Sequence, residues 1–220
     1  MEVTSGDVWL LAQGAAVSLI LALASISLGT LLALLLTGLA FVRFAPLRYL
    51  YQLYIFLIRG TPVLVQALLV FYSMATFWGQ ISPYTAGAIV LTIYVSALFA
   101  EVFRGGVLAI PLSLWDSAKS LGLPRLAVLR KVVLPLAARY SLPPYLNVCV
   151  MAVKASSVLS IISVWELTFA AREIIERTLA VFQVLCFAAA FYFVMCFAMD
   201  RAGRRLERRL MARGFAEERL

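Results

Sequence analysis

Apolar runs long enough to cross a lipid bilayer dominate this sequence. Of its 220 residues, 64% are hydrophobic, and the mean hydropathy is +0.97. A soluble domain is about half apolar, so a chain of this composition could not cover its own surface with polar groups. The length suits one integral membrane domain, with little room for anything else.

One of these runs, from Tyr140 to Glu166, contains the lysine Lys154. A charge at that depth in a bilayer is costly, and it usually faces a partner or a water-filled cavity. Such residues mark transport or relay paths. The lysine therefore indicates a protein that moves a polar solute through a membrane.

Five runs of about 18 residues or more predict spanning helices. They lie near residues 14–40, 62–78, 84–103, 142–165 and 179–199. We therefore expect an all-α polytopic membrane protein with one transmembrane domain over residues 14–200. An external segment, 1–13, would precede it, and a basic cytoplasmic tail, 201–220, would follow it. Because Met1 to Asp7 carries no Lys or Arg, a cleavable signal peptide is not predicted.

The basic residues predict which side of the membrane each connection occupies. Arg43 and Arg48 follow the first run, the connection 104–139 is rich in Lys and Arg, and the tail is basic, whereas "WGQISPY" between the second and third runs is uncharged. Basic connections stay in the cytoplasm, so the N-terminus is expected outside and the C-terminus inside. The net charge of +8 is explained by these connections, and nucleic acid is not an expected partner.

The connection 104–139 is too long to be a simple link. "PLSLWDSAKSLG" predicts a short helix that stops at Gly122, and "PRLAVLRKVVLP" predicts a second helix from Pro124 to about Pro135. A DNA-binding helix-turn-helix is disfavoured because the unit is tethered at both ends to spanning helices. An amphipathic hairpin at the membrane surface and a docking element for a cytoplasmic partner both remain.

The second run has an unusual beginning. The amphipathic segment from Ala45 to Arg59 is expected to lie along the cytoplasmic interface, after which Thr61 can cap a helix and Pro62 suits its first turn. That helix would be about 24 Å long at 1.5 Å per residue, barely a span. Its N-terminus is either an ordinary cap with aromatic anchoring or a partial positive charge facing an anionic group in a cavity.

The connection 104–139 resembles a known family. "DSAKSLGLPRLAVLRKVVLP" is similar to the EAA loop of the permeases of binding-protein-dependent ABC importers, with Asp116, Ala118, Gly122 and Pro135 at the characteristic positions. Three stretches resemble the polar amino-acid subgroup: "LIRGTPVLVQ", "AEVFRGGVLAIP" and "LPPYLNVCVMAVKASSVLSIISVWELT". The last departs from that subgroup at Ala155, where Asp or Ser commonly follows the lysine. The resemblance covers about residues 14–210.

This resemblance implies a type I ABC importer permease fold in a bacterial cytoplasmic (inner) membrane. The implied partners are a dimer of ATP-binding cassette ATPases, a second permease that is identical or paralogous, and an extracytoplasmic solute-binding protein that delivers an amino acid. The sequence has no GxxxxGK[ST] phosphate loop, so ATP and Mg²⁺ are expected on the ATPases, and this chain is expected to be neither an enzyme nor a cofactor binder. A permease for an opine or organic amine, or a membrane scaffold or sensor, are the alternatives.

Two sets of residues are candidates for function. The residues expected to couple to the ATPase are Ser113, Trp115, Asp116, Ala118, Leu121 and Gly122, with Gly122 allowing a sharp reversal. The residues expected along the substrate pathway are Arg59, Gly60, Thr61, Gln66, Glu101, Lys154, Ser156 and Ser157. Arg59 and Glu101 fall at similar depth and could form an ion pair that is structural rather than substrate-binding.

Other polar residues carry weaker signals. Glu166 is expected at the outer end of the fourth crossing, either as a solvated helix end or as a contact for the binding protein or a basic substrate. No metal site is predicted, because the chain has no His and its three cysteines lie in apolar segments without ligand spacing.

Overall fold

The computed structural model describes residues 3–79 and 81–217, and each regular element in those ranges is helical. The α-helices are α1 (Ser5–Ala40), α2 (Ala45–Gly60), α3 (Val63–Trp78), α4 (Pro83–Leu108), α5 (Leu112–Ser120), α6 (Arg125–Val128), α7 (Leu134–Ala155), α8 (Leu167–Thr178) and α9 (Val181–Glu217). A π-helical turn, Leu129–Val133, precedes α7, and a 3₁₀ helix, Ser156–Ile162, follows it. The predicted all-α class is confirmed.

Within the described ranges, four helical segments are long and apolar enough to span a membrane: 5–40, 83–108, 125–162 and 181–208. A fifth crossing is present if α2 and α3 count together as one span. The chain bends by 108° between these two helices. The sharp bend fits the prediction that α2 lies along an interface before the chain turns inward. Because α3 has only 16 residues, it is the short crossing that the sequence predicted.

The first helix begins earlier than the apolar run suggests. Asp7 accepts hydrogen bonds from both the backbone N–H and the hydroxyl of Thr4, each at 2.8 Å, and this capping box starts α1 at Ser5. The predicted external segment, 1–13, is thus helical from residue 5 onward. Residues 1–2, together with 218–220 of the predicted tail, lie outside the described residues.

The long connection also differs from its prediction. The helix that opens at Pro124 does not end near Pro135, because α6, the π-helical turn and α7 run on as one segment to Ile162. A proline ring inside a helix meets the carbonyl four residues earlier. The wider π-helical turn lies directly before Pro135 and gives the ring room. The second helix of the long connection and the fourth crossing are therefore one continuous segment.

The prediction that Glu166 lies at a solvated helix end is wrong, because its side chain is fully buried. Its Oε2 accepts hydrogen bonds from the hydroxyls of Ser18 and Tyr192, each at 2.9 Å, and its Oε1 accepts from the Phe169 N–H at 3.0 Å. Glu166 thereby caps α8 and joins it to α1 and α9. This helix was not predicted.

A second link joins α8 to the beginning of α1. The guanidinium of Arg177 pairs with Asp7, whose side chain is buried. Buried apolar residues of α1, α8 and α9 pack between the two polar links; they include Leu11, Leu167, Ile174 and Val184. The amphipathic α8 therefore lies firmly against the end of the bundle that carries the chain's N-terminus.

The centre of the bundle is formed by α1, α4 and α7. Gly106 lets α4 and α7 approach closely, because a Cβ atom there would collide with the Ser141 Oγ and the Ala137 carbonyl. Near this contact, the stacked rings of Phe99, Phe103 and Tyr145 fill the space between the same two helices. The three helices form one tightly packed unit.

We expect Glu166→Ala to lower thermal stability, because three buried donors would lose their shared acceptor. Each buried donor left unpaired costs about 1–3 kcal/mol, which corresponds to a melting temperature roughly 2–12 °C lower. The matched control is Glu176→Ala, which removes an exposed carboxylate from the same helix. Thermal unfolding of the two purified variants checks this, and equal melting temperatures would show that the network is not stabilising.

Candidate functional site

The hairpin at α5 is held in place by its own hydrophobic cluster. The backbone of Gly122 has a φ of +68°, a conformation that glycine adopts without strain, so the chain reverses there as predicted. Behind the turn, Trp115 and Ala118 pack against residues of α6, the π-helical turn and α7: Val128, Val133 and Ala137. The hairpin is thus a rigid attachment to the fourth crossing.

The six predicted coupling residues divide between two faces of this hairpin. Ser113, Asp116 and Leu121 are exposed, with Leu121 at 76%. Ala118 is only 4% exposed and Trp115 is half-buried. The outward face can contact a partner, whereas the inward face can only transmit a displacement to α7.

The predicted pair of Arg59 and Glu101 is present, within a larger cluster. Arg59 Nη1 lies 3.3 Å from Glu101 Oε2. Arg104 donates from Nε to Oε1 at 2.7 Å and from Nη2 to Oε2 at 2.9 Å, and the Tyr51 hydroxyl donates to Oε1 at 2.7 Å. Sequence reasoning missed Tyr51 and Arg104. The spacing of three residues between Glu101 and Arg104 on one helix was the available signal.

The bend between α2 and α3 is stabilised by Gln66. Its side chain is 7% exposed, and its Nε2 donates to the Ile58 carbonyl at 2.7 Å and to the Thr61 Oγ1 at 2.9 Å. Thr61 does not cap α3, contrary to its prediction, because its hydroxyl donates back to the Leu57 carbonyl at 2.8 Å. Pro62 occupies the capping position instead, without a side-chain cap. Gly60 and Thr61 are exposed at the bend.

Lys154 lies in the last turn of α7, directly before the 3₁₀ helix, and its side chain is exposed. Among the described residues, the Lys154 side chain has no hydrogen bond or ion pair partner. The hydroxyl of Ser156 is buried and donates to the Val153 carbonyl at 2.8 Å. Ser157 donates to the Lys154 carbonyl at 2.7 Å but is only half-buried. Lys154 and Ser157 are accessible, and Ser156 is not.

These neighbouring serines give a test of the pathway face. We expect Ser157→Cys and Lys154→Cys to react with a small thiol reagent, whereas Ser156→Cys resists because its side chain is enclosed. The background would carry alanine at the three native cysteines. Labelling is measured by mass spectrometry on the purified protein, and a Ser156→Cys variant that reacts as fast as Ser157→Cys would contradict the described geometry.

Comparison with known proteins places the chain in one family. Residues 25–212 match the family described as binding-protein-dependent transport system inner membrane component. The L-cystine transport system permease protein TcyB of Bacillus subtilis (strain 168) is 34% identical over 191 residues, which cover 86% of this chain and 82% of that protein. The octopine transport system permease protein OccM of Rhizobium radiobacter is 34% identical over 209 residues, or 90% and 84% of the two chains.

A solved structure agrees with these relatives. The crystal structure of an amino acid ABC transporter with histidines superposes with a TM-score of 0.89 and 31% identity, over 95% of this chain and 100% of that one. Members of this family are non-catalytic membrane subunits that work with a separate ATPase and a solute-binding protein. On these matches, the chain belongs to the binding-protein-dependent transport system inner membrane components.

Proposed function

We propose that this chain is the permease subunit of an ATP-driven importer for a polar amino acid, which an extracytoplasmic solute-binding protein delivers. The observation that carries the substrate class is the likeness, at 31% identity and a TM-score of 0.89, to the amino acid ABC transporter. The relative named for L-cystine supports the same class. A second permease, identical or paralogous, completes the pathway.

The energy comes from a dimer of ATPases that binds ATP and Mg²⁺, and this chain holds no cofactor. The exposed face of the hairpin, with Ser113, Asp116 and Leu121, docks into the ATPase, and Gly122 permits the reversal beside it. Trp115 and Ala118 pass the motion to α7. Coupling needs contacts that differ between the two states of the ATPase, and a rigid hairpin continuous with a span suits this role.

The exposed groups near the ends of α7 and α2 form the substrate path. An amino acid presents a carboxylate and an ammonium group. The Lys154 side chain offers donors for the carboxylate, and the uncapped N-terminus of α3 beside Gly60 and Thr61 offers a further partial positive charge. The hydroxyl of Ser157 can also accept from the ammonium.

The other predicted pathway residues support this path from within the protein. Gln66 holds the bend that presents the N-terminus of α3, and the Ser156 hydroxyl is bound to its own helix. The pair of Arg59 and Glu101 joins α2 to α4 at the cytoplasmic end of the pathway. These four residues shape the path without contacting substrate.

The orientation follows from the charge distribution. Arg43, Arg48 and the basic residues of 104–139 lie on the cytoplasmic side of a bacterial inner membrane. The N-terminus is then outside and the C-terminus inside. In this arrangement α8 faces the binding protein and the hairpin at α5 faces the ATPase.

An opine permease is the second candidate. The observation that favours it is the relative named for octopine, which matches this chain over 209 residues. An opine carries the same carboxylate and amine groups as an amino acid, so the path described above would serve both. Binding measurements on the cognate solute-binding protein distinguish these substrates.

The hairpin residues give the direct test of this function. In liposomes containing the complete transporter, we expect Leu121→Asp to reduce substrate-stimulated ATP hydrolysis at least fivefold while the melting temperature stays unchanged, because the side chain lies outside the fold. Ala118→Asp is the contrasting variant, and it should lower the melting temperature because the site is buried. Full stimulation in Leu121→Asp, with binding protein and amino acid present, would argue against docking at this face.

Orientation is tested by one further variant. In intact cells we expect Ser113→Cys to be protected from a membrane-impermeant thiol reagent and to be labelled only after the membrane is opened. The control is a cysteine at Glu176, on the exposed face of α8, which should react in intact cells. The reverse pattern would invert the proposed topology.

A further inference from the structure

A cavity of about 660 Å³ lies where α2 passes the C-terminal ends of α1 and α4. One stripe of α2 faces it, with Arg48, Gln52, Ile55 and Arg59 at spacings of four, three and four residues, which place side chains on one face of a helix. Glu101, Arg104 and Leu108 of α4 form the opposite wall. The cavity shares Arg59, Gly60 and Glu101 with the cytoplasmic end of the proposed transport path, but Arg48, Gln52 and Arg104 have no part in that path.

The cavity has more positive than negative charge. Three guanidinium groups, from Arg48, Arg59 and Arg104, line it with the single carboxylate of Glu101. Arg104 binds that carboxylate through two nitrogens, and Arg59 adds one bond at 3.3 Å. The side chain of Arg48 has no hydrogen bond or ion pair among the described residues. The carboxylate of Glu101 therefore neutralises the charge of about one guanidinium group. The N–H donors of Arg48, and most of those of Arg59, remain available to an anionic ligand.

The rest of the lining is apolar and exposed. Phe56 is 74% exposed, Leu108 61% and Phe41 48%, and all three border the cavity. These apolar side chains offer no hydrogen bonds, so they would not stabilise a small soluble anion. A charged head with a hydrocarbon chain matches both parts of the lining.

We propose that this cavity binds an anionic phospholipid of the cytoplasmic leaflet. The phosphate lies between the guanidinium groups of Arg48 and Arg59, which form strong charge-assisted bonds with phosphate oxygens. The acyl chains extend over Phe41, Phe56 and Leu108. Basic pockets between membrane helices on the cytoplasmic side are a recurrent form of lipid recognition. The inference rests on the proposed orientation, which puts the cavity at the cytoplasmic surface.

A bound lipid would have a specific structural effect. It would fill the space between α2 and α4 beside the cluster of Tyr51, Glu101 and Arg104. The angle of α2, and with it the bend that leads into α3, would then depend on the lipid headgroup. Transport in membranes without anionic lipid would be slower for this reason.

Native mass spectrometry of the complete transporter, purified in detergent and titrated with phosphatidylglycerol, tests the proposal. We expect one retained phosphatidylglycerol per copy of this chain, with affinity about fivefold weaker in Arg48→Gln, since one basic residue contributes about a factor of five near an anionic lipid. Arg43→Gln is the matched control, because it removes the same charge from the same side but does not line the cavity. It should bind as the wild type does.

Two further measurements distinguish binding of a lipid from binding of a soluble phosphate. Phosphatidylcholine should be retained at least tenfold less than phosphatidylglycerol, and soluble glycerol phosphate should not displace the lipid. Equal retention in Arg48→Gln and Arg43→Gln, equal retention of the two lipids, or displacement by glycerol phosphate or by free amino acid would each overturn the proposal. Lipid retention is measured without ATP and without a transport assay. It therefore tests the lipid site even if the proposed function is wrong.

Discussion

A bilayer provides no water to hydrogen-bond with a bare polar group, and three buried or half-buried polar side chains of this bundle bind to the protein itself. Glu166 accepts from two hydroxyls and one backbone N–H. Glu101 accepts from a tyrosine and two arginines. Gln66 donates to backbone carbonyls at the bend. These internal bonds fix the helix ends and angles, and they leave only a few groups, Lys154 among them, for anything that passes through.

The continuity from the hairpin to the fourth crossing gives the fold its mechanical character. One segment runs from Arg125 to Ile162, and α5 is attached to its beginning by a buried cluster. The hairpin is therefore joined to the crossing by continuous helix rather than by a loop, although α7 carries Pro143 and Pro144 in its interior. Lys154 sits near the far end of this helix, where it changes to a tighter 3₁₀ winding.

Hydropathy predicted much of this architecture, because the bilayer demands long apolar runs whatever their neighbours are. The reversal at Gly122 and the pair of Arg59 and Glu101 also followed from local pattern and depth. The partners of Glu166 lie 148 and 26 residues away along the chain, so no local pattern could give them. The uninterrupted helix through Pro135 was missed because a proline normally ends a helix, and only the widened turn before it explains the exception.

Gly106 has a consequence for how such a subunit can change shape. Because Gly106 has no side chain, the backbone of α4 lies directly against the Ser141 hydroxyl and the Ala137 carbonyl of α7, and interlocked surfaces of this kind do not slide past one another. Opening and closing must then occur by swinging the central helices as a block. Such a swing would change the backbone angles where other helices join the block, at the bend between α2 and α3 and at the left-handed residues Ser163 and Leu179 that flank α8.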